Sequence, residues 1–286
     1  TGQYITAVGF QAAQSANIPT ETICAIGYRA LNQNTTGVDN TAVGSYGTLY
    51  ANTTGSSNTA VGYRALKYNT TASWNTEIGY QSLNTNTTGA QNVANGCLAL
   101  FANTTGSYNV AAGTSALTSN TTGNSNIAIG NEALKSNTTA SWNIATGEGA
   151  LYANTTGAQN VAYGAYTLNA NTTGSNNVAV GMQVLDFNTT GSNNTASGYQ
   201  SLYTNTTGAQ NVANGYLALF ANTTGSYNVA AGTSALTSNT TGSNNTASGY
   251  RSLYTNTTGA QNVANGYCAL YSNTTGQQNV AVGDFS

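Results

Sequence analysis

Asn-Thr-Thr occurs 15 times in this chain, and each copy is an Asn-x-Thr acceptor whose side-chain amide nitrogen could carry a sugar. The acceptors are Asn34, Asn52, Asn69, Asn86, Asn103, Asn120, Asn137, Asn154, Asn171, Asn188, Asn205, Asn222, Asn239, Asn256 and Asn273. One chemistry on offer is therefore N-glycosylation along an edge. The other is structural: Asn amides and Thr hydroxyls in a turn can bond to their own copies in the next repeat and form ladders. Acceptors stacked at the ~4.8 Å separation of neighbouring strands leave little room for large sugars. Because the repeat was copied, 15 matches amount to one observation, and both readings stand.

A second set of candidates is aromatic. Trp74, Tyr108, Trp142 and Tyr227 each follow the Asn of an Asn-Thr-Thr by five residues, in the loop after the turn. These are the residues expected to touch a ligand or glycan. Tyrosine also recurs elsewhere in the unit, as Tyr28, Tyr63, Tyr80, Tyr199, Tyr216, Tyr250 and Tyr267 and again as Tyr152, Tyr203, Tyr254 and Tyr271. Stacking between repeats accounts for those columns better than a carbohydrate platform does.

Other chemistry is sparse. The chain has no histidine, and its seven carboxylates fall at scattered positions of the unit. That removes Ser-His-Asp and Cys-His nucleophiles, His-based metal sites and most general-base catalysis. A repeated calcium loop needs an acidic residue in every unit. The expectation is a non-enzymatic protein without cofactors. Cys24, Cys97 and Cys268 occupy three different places in the unit. Stacked repeats would hold Cys24 and Cys97 roughly 19 Å apart, beyond disulfide reach. With 4% charged residues and a net charge of −2, there is no basic patch for nucleic acid. No apolar run approaches the length of a membrane span, so no membrane contact is expected.

The elements that must position these residues are set by a period. One glycine recurs from Gly9 through Gly27, Gly44 and Gly62, then every 17 residues to Gly283. The first three steps are 18, 17 and 18. Asn stands four before this anchor in 15 of 17 units, and Ala two before it in 16 of 17. Leu follows four after it almost throughout. Residues 80–123 match 199–242 at 42 of 44 positions, an offset of seven units. Periods of this size mean a solenoid or an array.

Seventeen residues are too few for a helical hairpin, and the Gly, Asn and Thr load opposes helix. The segment before each anchor, such as Asn-Val-Ala-Val-Gly, has strand chemistry with a two-sided pattern. A second short extended piece is expected to carry the Leu, and Asn-Thr-Thr-Gly to turn the chain, with Gly free to take positive φ. The predicted fold is all-β: a parallel β-solenoid of about 17 coils with a 17-residue repeat. Residues 1–286 read as one repetitive body, with less regular coils over 1–61 around Pro19 and regular coils over 62–286. Stacked at ~4.8 Å, 17 coils imply a rod of roughly 80 Å. Ala and Leu are placed inside. Glu77 holds the Ala position in one unit, and a local bulge with Arg64 or Lys67 as partner is the expected remedy. The opposite strand face mixes Val43, Val61, Ile129 and Val180 with Asn95, Ser197, Asn214 and Asn265, which suits contact with partner chains.

The stretches Asn-Thr-Ala-Val-Gly-Tyr-Arg-Ala-Leu, Asn-Ile-Ala-Ile-Gly-Asn-Glu-Ala-Leu and Asn-Val-Ala-Val-Gly resemble the head repeats of trimeric autotransporter adhesins. They also resemble repeats of bacterial and phage surface or tail fibres. The resemblance covers essentially the whole chain and implies a left-handed parallel β-roll, three chains side by side, at a cell surface or on a virion. The longer unit with its Asn-Thr-Thr-Gly turn departs from the shorter loop of the adhesin heads. The functional expectation is the shaft or spacer of an extracellular fibre, bare or glycosylated, associating with itself as a homotrimer or end to end as a filament. The alternative is an adhesin or tail-fibre module that recognises a surface carbohydrate or protein receptor. The chain opens inside one repeat and stops just after another, which reads as a segment of a longer array.

Overall fold

The structure, a computed structural model, describes residues 4–16 and 22–286. Pro19, where irregularity was expected, lies outside the described residues. The chain divides into two compact units, Thr1–Trp142 and Asn143–Ser286. The first unit holds eight strands: β1 (Tyr4–Val8), β2 (Thr22–Tyr28), β3 (Asn40–Tyr46), β4 (Thr59–Val61), β5 (Thr76–Ile78), β6 (Val93–Asn95), β7 (Val110–Ala112) and β8 (Ile127–Ile129). The second holds nine, from β9 (Ile144–Thr146) to β17 (Val280–Val282). Within each unit every strand pairs in parallel with the next in sequence, one per coil, so each unit is a parallel β-solenoid. From β4 onward each strand is only three residues long. The two long strands β2 and β3 are out of step between Ile26 and Tyr28.

Each three-residue strand alternates out, in, out, and the inward residue is the alanine. Ala60, Ala94, Ala111 and their counterparts are fully buried. The anchor glycine that follows turns the chain at φ between 115° and 145°. A Cβ on Gly96 would sit 2.4 Å from the carbonyl oxygen of Gly113 in the next coil. Both the dihedral and the approach exclude any other residue.

The second extended piece expected around the Leu does not form. Two residues in that segment take left-handed backbone angles in nearly every coil, as at Arg64 (φ 54°) and Leu66 (φ 52°). The segment is a hydrogen-bonded turn that still ladders between coils: the Leu66 N–H donates to the Ser82 carbonyl at 3.0 Å. Its geometry points two consecutive residues inward, Ala65 with Leu66 and Ala99 with Leu100, all fully buried. A strand cannot do this, since its side chains alternate faces. Left-handed backbone costs roughly 1–2 kcal/mol at a Leu. Full burial of the same side chain returns about 1.5–3 kcal/mol, so burial wins.

Glu77 corrects a further expectation. No bulge forms: β4, β5 and β6 stay in register through Ala60, Glu77 and Ala94. The carboxylate is fully buried, and neither oxygen has a hydrogen-bond partner. Arg64 lies over the rings of Tyr46 and Tyr63, and the Lys67 amine donates to the Tyr68 hydroxyl at 2.9 Å. Both cations are therefore engaged on the tyrosines.

Candidate functional site

The Asn-Thr-Thr turn closes each coil at one corner, and its Asn side chain points inward. Fourteen of the 15 acceptors, Asn34 to Asn256, are fully buried; Asn273 in the last coil is half-buried. Asn69 shows the arrangement. Its Nδ2 donates to the Ala72 carbonyl at 2.9 Å and to Oδ1 of Asn52 in the coil before, at 2.8 Å. Its Oδ1 accepts from Nδ2 of Asn86 in the coil after, at 3.0 Å. The column runs Asn34 to Asn137 in the first unit, and Asn154 to Asn273 in the second.

This ladder bears directly on the glycan reading. An N-glycosidic bond replaces one Nδ2 hydrogen, and in the folded coil both hydrogens are committed to partners in a closed interior. The folded turn thus holds these Asn residues as a structural ladder, with no room at Nδ2 for a sugar. Expected positive φ at the turn glycine is also absent. Gly89 instead allows close approach, since a Cβ on its present backbone would lie 2.2 Å from the Gly106 carbonyl and 2.6 Å from Asn86 Oδ1, so a larger residue requires the turn to shift. Ala72 and Ala140 fill the equivalent place in the two variant turns.

A second buried column comes from the Asn four before each anchor. Oδ1 of Asn58 accepts from both the backbone N–H and the Nδ2 of Asn75, at 3.0 and 3.2 Å. Asn75 Nδ2 also reaches the Gly89 carbonyl in the next turn at 3.1 Å. Beside it, the first Thr of the tripeptide adds a hydroxyl ladder, Thr70 Oγ1 donating to the Thr87 carbonyl at 3.0 Å. The second Thr is exposed in every coil, as at Thr71, Thr88 and Thr105. Every buried amide is matched by the neighbouring coil, which makes the polar interior stabilising as a set and costly to interrupt.

Outside, the tyrosine columns stack. Phe10, Tyr28, Tyr46, Tyr63 and Tyr80 form a run with centroids 5.2–5.9 Å apart. Tyr203 with Phe220 and Tyr254 with Tyr271 stack at 5.3 and 5.2 Å on the Leu-bearing turn. Arg251 covers Tyr250 and Tyr254. The four loop aromatics behave differently. Trp74, Tyr108, Trp142 and Tyr227 all take left-handed φ of 60–66° and leave 57–65% of their surface exposed. None of them joins the ring stacks found among the described residues.

Ionisable groups are few. Burial without a partner pushes the Glu77 carboxyl well above its ordinary 4.5, favouring the neutral acid. Partial burial raises Asp186 to about 6. Its charge, after burial, helps to raise neighbouring Tyr203. The cysteines are free: Cys97 exposed, Cys24 half-buried, Cys268 buried. Among the described residues no three His, Cys, Asp or Glu side chains gather as a metal site. The most concentrated exposed chemistry is therefore the aromatic corner. Comparison with family models finds no match, and comparisons with curated proteins and with solved structures find none either.

Proposed function

We propose that this chain is a non-enzymatic structural protein that forms the rod of an extracellular fibre or filament. The observation behind this reading is the pair of buried Asn columns. Each coil's amides are completed only by the coils on either side, so a single coil is not a stable object and a stack is. Low charge, short turns and a hydrogen-bonded interior suit a shaft exposed to proteases. Its place would be a cell surface or a virion. Self-association belongs to the same proposal, side by side as a homotrimer or end to end. Outward Val and Ile on the strands, including Ile78, Val93, Ile129 and Val180, favour the side-by-side form. Electron microscopy of the purified chain tests the reading: elongated particles resistant to trypsin are expected, and compact, readily digested ones would overturn it. A binding role as an adhesin or tail-fibre module is favoured only by the exposed loop aromatics.

A further inference from the structure

The loop aromatics of the first unit follow a pattern. Their column, one residue per coil, begins with Asp39 and Ser57 and then reads Trp74, Gln91, Tyr108, Ser125, Trp142. Over these last five coils aromatic and polar residues alternate. The column is held in step by backbone bonds between coils: the N–H of Trp74 reaches Ser56 O, that of Gln91 reaches Ser73 O and that of Tyr108 reaches Ala90 O, each at 3.1 Å. Neighbouring coils are ~4.8 Å apart, so the aromatics recur at ~9.6 Å, and Trp74 to Trp142 spans ~19 Å.

Nothing in the fold rewards these rings. Left-handed φ costs a bulky residue on the order of 1–2 kcal/mol, and Asn tolerates it best. The second unit puts Asn176, Asn193 and Asn244 at this place. Trp74 and Trp142 accept the strained backbone while remaining 63% and 65% exposed, so burial does not compensate. Both tryptophans also arrive with the same altered turn, Asn-Thr-Thr-Ala-Ser-Trp-Asn, which is found only at these two positions. Tyr108 lies midway between them.

We infer that Trp74, Tyr108 and Trp142 form a linear binding site for an extended β-1,4-linked polysaccharide. In the gluco-configured chains of this class, cellulose and chitin, every ring substituent is equatorial, so each sugar presents an apolar C–H face that stacks on an aromatic ring. Successive sugars are rotated by half a turn, and the same orientation returns once per disaccharide, a length close to two coils. Rings one, three and five of the ligand then meet the three aromatics. The intervening sugars lie over Gln91 and Ser125, within reach of polar side chains. A surface row in place of a cleft suits a polymer or a crystalline face. The site lies wholly within the first unit. In the second, Tyr227 is flanked by Gln210 and Asn244 and stands alone, which makes it an internal control.

The two tryptophans are the only ones in the chain, so their fluorescence reports the site directly. The full-length chain is titrated with cellobiose, cellopentaose, chitopentaose and maltopentaose, and depleted on microcrystalline cellulose and on chitin. Expected is a tryptophan shift with cellopentaose or chitopentaose, and affinity about tenfold above that for the disaccharide as added contacts accumulate. Trp74→Gln and Trp142→Gln each lower binding about fivefold, while Tyr227→Asn leaves it unchanged. Gln already occupies this backbone in other coils, and an unchanged circular dichroism spectrum checks the fold. Three results would overturn the inference: no spectral change and no depletion on either polymer, equal binding of maltopentaose, or equal loss in Tyr227→Asn. The site goes beyond the shaft reading and is tested separately, since imaging the particle says nothing of sugar affinity.

Discussion

Replacing Glu77 by Ala restores the residue that 16 other coils carry at this place. Near pH 4.5 the carboxyl is largely neutral in the folded chain and half-protonated in the unfolded one. Burying it unpartnered costs roughly 1–3 kcal/mol, and the one methylene it has beyond alanine returns about 0.8 kcal/mol. The two partly cancel, so the variant is expected to be only modestly the more stable there. Above 4.5 the unfolded chain gives up its proton while the folded chain keeps it, because burial has raised the folded value. The folded state then binds more protons, and stability falls by about 1.4 kcal/mol for each pH unit until the raised value is passed. Between pH 4.5 and 7 the difference therefore widens in favour of Glu77→Ala. Coils can open locally, so the assay is hydrogen-exchange protection of the Thr76 and Gly79 amides, which bond to Asn92 O and Val61 O. A stability difference that stays constant between pH 4.5 and 7 would refute the buried, unpaired placement of this carboxyl.

Further outcomes are expected elsewhere in the stack. Gly96→Ala, with φ of 144° and a carbonyl 2.4 Å from the new Cβ, is expected to cost about 3 kcal/mol or more, read by thermal unfolding. Asn103→Ala removes the donor to Asn86 Oδ1 and Gly106 O and is expected to cost about 1–3 kcal/mol. Asn103→Asp, which sets a carboxylate against two acceptors, should lose more amide protection in the adjoining coils than Asn103→Ala. Folded chain exposed to an oligosaccharyltransferase is expected to keep its mass of 29.0 kDa; sugar on any acceptor from Asn34 to Asn256 would contradict the buried ladder.

Which parts of this architecture could be read from the residues follows from what each column tolerates. Val or Thr beside Ala announces a two-sided strand, and Leu at fixed spacing announces a core. Those positions came out as expected. Ala65 and Leu66 did not, because a period of two cannot describe neighbours that both face inward. The signal was present: the residue before each buried Leu of this column is Ala, Ser, Thr or Val and never large, as in Ser82, Thr167 and Val184. The Asn columns carried a clearer mark. No Asp, Ser or Gln ever replaces Asn at the tripeptide, which means that both the oxygen and the nitrogen of the amide are in use. A surface acceptor needs only the nitrogen. Strain at Trp74 was beyond sequence reading, since φ at the loop position depends on how the turn closes against the coil before it.

The amide columns also have a direction, because each Nδ2 reaches back to the oxygen of the preceding coil. Any coil therefore offers its successor the same socket that it filled in its predecessor. Inserting or deleting a whole number of units rejoins plug to socket, whereas a partial insertion breaks both columns at once. Such a stack tolerates growth by whole-unit duplication, and the near-identical blocks at 80–123 and 199–242, displaced by 119 residues or seven times 17, have the spacing that such growth requires. Length in this molecule is a quantised and easily evolved trait, while the shape of the unit is held fixed by its neighbours.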